Sequence, residues 1–330
     1  MSKTTALITG GCGFIGRHLC HHLLQHTDWH LILLDSLNYA TNVPALLGDR
    51  DWDSTRVRLL YHDLRAPIHE SLREKIGDVK YIFNLASESH VDKSIYDPVP
   101  FVQNNVALML NMLEYARIVK PEKFFQISTD EVYGPAPDGY AFKEWDVAIP
   151  SNPYAASKAA QEAICISYWR TYNLPIVITN TMNNFGSSQH KEKFMPKVIR
   201  CLLSGQPVPV HGERRPDGTW VAGSRVWLHA RNHADALLHL ANNCTPEMYP
   251  DADRPSRFHI AGDEELSNLE VVERVASILG VPPEFEWVDW HGSRPGHDRR
   301  YALDGNKLRK TWTPPMTLDE SLQQTVKSYM

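Results

Sequence analysis

Short apolar runs alternate with longer stretches of helical spacing through the first half of the chain. The runs "TALITG" (5–10), "HLILLD" (30–35), "VRLLYHDL" (57–64), "YIFNLAS" (81–87), "KFFQIST" (123–129) and "PIVITNT" (175–181) are nearly unbroken, as in strands covered on both faces. Between them, "IGRHLCHHLLQH" (15–26), "HESLREKI" (69–76), "FVQNNVALMLNMLEYARIV" (101–119) and "PYAASKAAQEAICISYWRTYN" (153–173) read as helices. The alternation predicts an α/β fold of Rossmann type, a doubly wound parallel sheet with right-handed crossovers.

Past residue 182 the elements shorten, and Pro, Gly, Trp and His become more frequent. One amphipathic helix is clear, "LSNLEVVERVASILG" (266–280), opened by a capping box at Ser267 and Glu270. The expected division is a mainly dinucleotide-binding unit over 1–182 and a smaller α/β substrate lobe over 183–330, interleaved with the first. No repeat or low-complexity tract is seen.

Composition narrows the partners. The 330 residues are 42% hydrophobic and 22% charged, enough for a sizeable core. A net charge of −5, with no run of Lys or Arg, argues against nucleic acid. Cys12, Cys20, Cys165, Cys201 and Cys244 are scattered and form no CxxC pair. That suits a reducing cytoplasm rather than a disulfide framework or a zinc site. No apolar stretch reaches the roughly 18–20 residues of a membrane span. The first strand starts almost at once, so neither a membrane partner nor a signal peptide is expected.

The first strand-to-helix junction carries "TGGCGFIG", with Gly10, Gly13 and Gly16. A glycine turn there lets backbone N–H groups and the helix N-terminus face a pyrophosphate. Asp35 ends the next strand, where a carboxylate holds the adenosine ribose. No Arg follows it directly, which favours NAD over NADP. Asp63, after the third strand, is placed to reach the adenine. The bland alternative is a structural glycine turn.

Tyr154 and Lys158 in "YAASK" lie one helical turn apart on one face. A cation beside a phenol lowers its pKa, so Tyr154 is expected to act as a base near neutrality. Thr129 supplies a hydroxyl at the preceding strand end. Directly after it, Asp130 and Glu131 place two carboxyls side by side; capping of the next helix is their plain structural reading.

With "ASESHVDKSI" (86–95), "STDEVYG" (128–134), "NPYAASKAA" (152–160), "NNFG" (183–186), "EKFMP" (192–196) and "RPGHDRRYALD" (294–304), these residues resemble the extended short-chain dehydrogenase/reductase superfamily, and within it the dTDP-glucose 4,6-dehydratases. The resemblance implies NAD-dependent conversion of a nucleotide-diphosphate hexose to its 4-keto-6-deoxy form. It implies that Tyr154, aided by Thr129 and Lys158, takes the 4-hydroxyl proton. Glu131 would take the C5 proton, and protonated Asp130 would release the 6-hydroxyl as water. Phe14, Ile15, Asn38, Leu64 and Ala86 join the cofactor residues on the same basis. Ser89, Asn184, Lys193, Arg225, Asn268 and Arg294 are the implied substrate contacts, the two arginines clamping the diphosphate.

Related epimerases carry small residues after the strand hydroxyl, and several other relatives carry Thr-Ser-Glu; Thr-Asp-Glu marks the 4,6-dehydratase pattern. An epimerase or decarboxylase is the alternative enzyme, and an NAD-binding sensor or scaffold the non-enzyme alternative. The resemblance also implies a homodimer through helices 101–119 and 153–172. Leu108, Met112, Ala159 and Ile166 suit such an interface and packing on the sheet equally.

Two regions depart from the family. The nucleotide lobe reads "HGERRPDGTWVAGSRVWLHARNHADAL" (211–237), longer and less acidic than the family's pattern, and "GSSQHKEK" (186–193) is also altered. Uridine could therefore replace thymidine in the substrate. His18, His22 and His26 share one face of the first helix, with His21 beside them. A solvated or sheet-packing face is expected there in preference to a metal site.

Overall fold

The computed structural model describes residues 4–48, 52–289 and 298–330. The six apolar runs form β1 (Thr5–Thr9), β2 (His30–Asp35), β3 (Val57–Tyr61), β4 (Tyr81–Asn84), β5 (Lys123–Thr129) and β6 (Ile176–Thr181). Later come β7 (Asn183–Phe185), β8 (Val208–Arg214), β9 (Trp220–Ala222), β10 (Ser224–His229), β11 (Ser256–Ile260), β12 (Glu265–Ser267) and β13 (Phe285–Asp289). Seven strands make the main sheet in the order β11-β6-β5-β4-β1-β2-β3, and every pairing is parallel. This is the doubly wound Rossmann architecture expected. Its seventh strand, however, comes from residue 256 onward, after the start of the smaller lobe.

The helices are α1 (Phe14–His26), α2 (Val43–Leu47), α3 (Glu70–Ile76), α4 (Val91–Tyr96), α5 (Pro98–Val119), α6 (Pro153–Tyr172), α7 (Phe194–Leu203), α8 (Ala230–Asn243), α9 (Asn268–Leu279), α10 (Asn306–Arg309) and α11 (Leu318–Lys327). α5 begins three residues earlier than the apolar pattern predicts, because Pro98 fits the first helical turn. α6 opens the same way: Pro153 follows Asn152, whose Oδ1 accepts the Ala155 N–H at 2.9 Å. The capping box of α9 forms as read, with Ser267 and Glu270 bonding each other's backbone N–H groups. No described helix is long and apolar enough to cross a membrane.

Two apolar layers cover the sheet. One joins α1 and α8 to Ile8, Leu33, Phe83 and Phe125. The other joins α5 and α6 to Leu7, Ile82, Phe124 and Ile178. Leu108 and Met112 belong to this second layer, so they are spent on the sheet rather than on an outer face. The smaller lobe has its own core around Phe185, Val198, Val210 and Val272. There the lengthened segment before Arg225 is the β8–β9 hairpin, with Trp220 stacked on Trp287 at 5.4 Å and 5°.

The histidine face of α1 is buried at His18 and His22, while His26 at its end stays exposed. It packs on α8 and its neighbours: His22 Nε2 lies 3.2 Å from Asp235, and His18 contacts the Ser187 carbonyl and the His229 ring. The four-residue spacing that suggested a metal face serves a helix–helix contact.

Candidate active site

The parallel strands end together, and the sheet order reverses between β1 and β4. Ligands bind in the crevice that such a reversal opens. A cavity of about 1180 Å³ lies there and runs on to the smaller lobe.

The glycine turn forms one end of it. Gly10 has φ +66°, a conformation that favours glycine. A Cβ on Gly16 would collide with the Gly10 carbonyl oxygen, so α1 can start this close to β1 only with glycine at 16. Gly13 caps α1 without a side chain over the first-turn N–H groups. An uncapped helix start of this kind suits a pyrophosphate. Phe14 and Ile15 line the same wall. Asp35 Oδ2 accepts the Cys12 N–H at 2.9 Å and Oδ1 accepts the Leu37 N–H at 2.8 Å. The carboxylate thus pins the glycine turn to the end of β2 while standing at the cavity wall. Asn38, Asp63, Leu64 and Ala86 border this half as well. Asp63 is held by Arg65, at 3.1 Å from Nε and 2.5 Å from Nη2, and those bonds keep its carboxyl below the usual range. Glycine cradle, bare helix start and terminal carboxylate together fit NAD.

The reactive half begins at Thr129, the last residue of β5. Its hydroxyl donates to Asp130 Oδ1 at 2.9 Å and accepts the Glu131 N–H at 3.3 Å. It thereby caps a short 3₁₀ turn, Asp130–Tyr133. The cap is the hydroxyl, which leaves the two carboxyls available for other work.

Asp130 is 2% exposed, and its Oδ2 has no hydrogen-bond partner among the described residues. Burial, then the charge of Glu131, push its carboxyl up to about 7. Glu131 is partly open to the cavity. Its Oε2 accepts from Asn152 Nδ2 at 3.3 Å and stands 3.5 Å from the Tyr301 hydroxyl. Burial raises this carboxyl too, but Asn152 and the positive charges of Arg225 and Lys193 oppose the rise. Both carboxyls are raised, but they differ in setting: Asp130 is the more deeply buried and keeps a proton near neutrality, while Glu131 opens to the cavity with Asn152, Arg225 and Lys193 opposing its rise. An acid and a base stand side by side.

Tyr154 and Lys158 face the cavity from α6. Lys158 Nζ donates to the Ile127 carbonyl at 2.8 Å and to Gln161 Oε1 at 2.7 Å. Burial pulls its ammonium down to about 8. The lowering of the Tyr154 phenol expected from Lys158 is not found. Burial, then Glu131, raise it, and the Thr129 bond offsets only part. The physical reason is that the ammonium is turned toward Ile127 and Gln161, while two carboxyls face the phenol.

On the substrate side, Ser89, Asn184, Lys193, Arg225 and Asn268 all line the cavity; Arg294 lies outside the described residues. Lys193 reaches the Ser89 carbonyl at 3.3 Å and joins the two walls. Asn184 is tethered by Thr181, Met182 and His233. Arg225 is 7% exposed and gives its guanidinium to the carbonyls of Ser224, Asp298 and Arg299, over the Tyr301 ring. Arg225, expected to help clamp the diphosphate, thus stands at the cavity wall as a buried strut that also places positive charge beside Glu131.

Sequence reasoning missed Asn152, Tyr301, Pro209 and His211 in this site. Asn152 was legible as a cap before Pro153. Tyr301 lies in the tail motif but offers no signal of its own reach to Glu131.

Comparison with known proteins agrees with this geometry. The family profile described as GDP-mannose 4,6 dehydratase matches residues 7–325. The chain is 36% identical to the low-salt glycan biosynthesis protein Agl12 of Haloferax volcanii, over 98% of both chains. It is 36% identical to the dTDP-glucose 4,6-dehydratase of Haemophilus influenzae, over 98% of this chain and 97% of the relative. The crystal structure of a Streptomyces venezuelae dTDP-glucose 4,6-dehydratase with NAD bound superposes with a TM-score of 0.84 at 33% identity, covering 99% of this chain and 97% of that one.

Proposed function

Since the chain belongs to the nucleotide-sugar 4,6-dehydratases of the extended short-chain dehydrogenase/reductase superfamily, with NAD as cofactor, we propose that its substrate is dTDP-glucose and its product the dTDP-4-keto-6-deoxy sugar. The observation that carries the reading is the buried Asp130 carboxyl beside Glu131, facing the same cavity as Tyr154 and Lys158.

The chemistry that NAD supplies when bound is reversible hydride storage between C4 and C6 of the hexose. Gly10, Gly13, Phe14, Ile15, Gly16, Asp35, Asn38, Asp63, Leu64 and Ala86 would hold it. Tyr154 takes the 4-hydroxyl proton as the phenolate, a form that the Thr129 hydrogen bond favours and that burial and Glu131 oppose, with Lys158 as the nearby cation. The 4-ketone acidifies the C5 hydrogen, which Glu131 removes. Asp130 gives its proton to the departing 6-hydroxyl, and water leaves. Glu131 then returns its proton to C5. Ser89, Asn184, Lys193 and Asn268 border the sugar and diphosphate, while Arg225 acts through its charge on Glu131 and its grip on residues 298–299.

UDP-glucose is the second substrate reading, favoured by one feature: His211 lines the cavity from β8, at the start of the segment that departs from the family. Incubation with each nucleotide sugar separates the two. The 4-keto-6-deoxy product develops a near-ultraviolet absorbance in alkali, and we expect it from dTDP-glucose first. No such product from any hexose nucleotide would overturn this reading and leave an epimerase or decarboxylase, or an NAD-binding sensor or scaffold.

We further propose a homodimer through α5 and α6, which expose Leu110, Ile118 and Tyr172 on their outer side. Light scattering should give twice the 37.6 kDa chain mass; a monomer mass at micromolar concentration would end that reading. Five free cysteines support a reducing cytoplasm as its compartment, which cell fractionation checks.

A further inference from the structure

Three adjacent strands each place a polar residue at the same level of an otherwise apolar sheet face. Thr9 on β1 pairs with Asn84 on β4, and Asn84 pairs with Gln126 on β5. One pleat earlier, the same face carries Leu7, Ile82 and Phe124, all fully buried. Thr9, Asn84 and Gln126 are each at most 1% exposed. Buried amides are costly unless each polar atom finds a partner.

Here each does, and all in one direction. Thr9 Oγ1 donates to Asn84 Oδ1 at 2.7 Å, and Asn84 Nδ2 donates to Gln126 Oε1 at 2.7 Å. Gln126 Nε2 donates to Oε1 of Gln161 on α6 at 3.0 Å. Gln161 Oε1 also accepts from Lys158 Nζ at 2.7 Å, and Gln161 Nε2 donates to the Asn105 carbonyl of α5 at 2.7 Å. Turned over, the Gln161 amide would put its NH₂ against two donors and its oxygen against a carbonyl. Only one orientation works, so the amide oxygen is held against the ammonium. The bond to Asn105 also polarises the amide toward that oxygen, which strengthens it as an acceptor.

Lys158 itself is 3% exposed. Two of its three N–H donors go to Ile127 and Gln161, and its ammonium borders the cavity. The titratable groups around it are Tyr154, Glu162 and Cys165 on α6 and Asp130 and Glu131 on the turn after β5; from α5 the facing residue is the uncharged Asn105. A fixed neutral acceptor on a buried ammonium favours its charged form.

We propose that Gln161 is a positioning residue for this reaction: its amide oxygen fixes the Lys158 ammonium and keeps it charged below Tyr154, with Gln126, Asn84 and Thr9 as the frame that holds the amide in place. The proposal rests on the roles given above to Tyr154 and Lys158. It explains why a polar rung crosses a face that packing alone would fill with aliphatic side chains.

The test is the titration of Lys158 in the NAD-loaded protein, followed by NMR of ¹³Cε-labelled lysine and assigned by the signal lost in Lys158→Met. Gln161→Met keeps the volume and removes the acceptor; the midpoint should fall by about one pH unit. Gln161→Glu keeps the oxygen and adds negative charge, so the midpoint should rise. The alkaline limb of C4 oxidation should move in the same two opposite directions, with kcat changed and KM held. A merely structural role would not give shifts of opposite sign. An unchanged midpoint in Gln161→Met overturns the proposal; should that variant not fold, an unchanged or lower midpoint in Gln161→Glu does so. The titration needs no substrate, so a wild-type protein that makes no 4-keto-6-deoxy product would overturn the proposed function and leave this result standing.

Discussion

Mixed with dTDP-glucose, the Asp130→Asn variant should turn the bound cofactor to NADH and hold it there. Asparagine matches the shape of the protonated carboxyl and carries no transferable proton. The first half of the reaction does not need that proton, because Tyr154, Thr129 and Lys158 act at C4. Loss of the 6-hydroxyl does need it. General acid catalysis is typically worth about 10²–10⁴-fold, and water loss should slow by that factor. Stopped-flow absorbance of NADH reads the result directly. Water loss at the wild-type rate would strip Asp130 of the acid role.

The wild-type enzyme should show the same chemistry through pH. Burial raises the Asp130 carboxyl to about 7. The proton is therefore present below that pH and is lost as pH rises through it. The elimination step, isolated from C4 oxidation, should slow on the alkaline side of neutrality.

The second large effect is on stability. Arg257 of β11 reaches across to α6, with Nη2 2.6 Å from Glu162 Oε2, and both side chains are about 95% buried. Its Nη1 also bonds the Tyr133 hydroxyl at 3.2 Å and the Glu144 carbonyl at 2.9 Å. Asn180 Nδ2 holds the other Glu162 oxygen at 2.7 Å. Arg257→Met would leave Glu162 buried without its counter-ion. Removing one partner of a buried pair costs about 3–5 kcal/mol. Denaturant unfolding of the NAD-loaded protein should show a loss of that order. Glu162→Gln with Arg257→Met should recover a large part, because no uncompensated charge remains. If the double variant were no better than the single, the loss would lie in packing rather than in charge.

The parts legible in the sequence share a cause: each rests on residues near one another in the chain. β1 to β6 are apolar runs, and the glycine turn, the Asp130–Glu131 pair and the Tyr154–Lys158 spacing are all local patterns. What was not legible depends on distant partners. "SRFHI" does not read as a core strand, because Arg257 and His259 are polar. They are buried only because Glu162, Tyr133 and the Asp304 carbonyl meet them there. His22 looks like part of a solvent face until α8, some two hundred residues later, covers it. Arg225 carries the pattern of a phosphate clamp, yet the carbonyls that hold it belong to 298–299. The Tyr154–Lys158 spacing announces a cation beside a phenol. It cannot show that Gln161 and Ile127 draw that cation aside, or that two carboxyls outweigh it.

The place of β11 bears on how the protein is made. β6 is paired on one side by β5 and on the other by β11, so residues 256–260 supply the edge strand on that flank of the sheet. A ribosome that has released residues 1–182 has delivered every other strand of the sheet, but Ile176–Thr181 still offers an open row of backbone donors and acceptors. Such an edge invites pairing with other chains. That row finds its partner only once synthesis has passed residue 260, so the nascent sheet carries this hazard until β11 arrives and takes the edge.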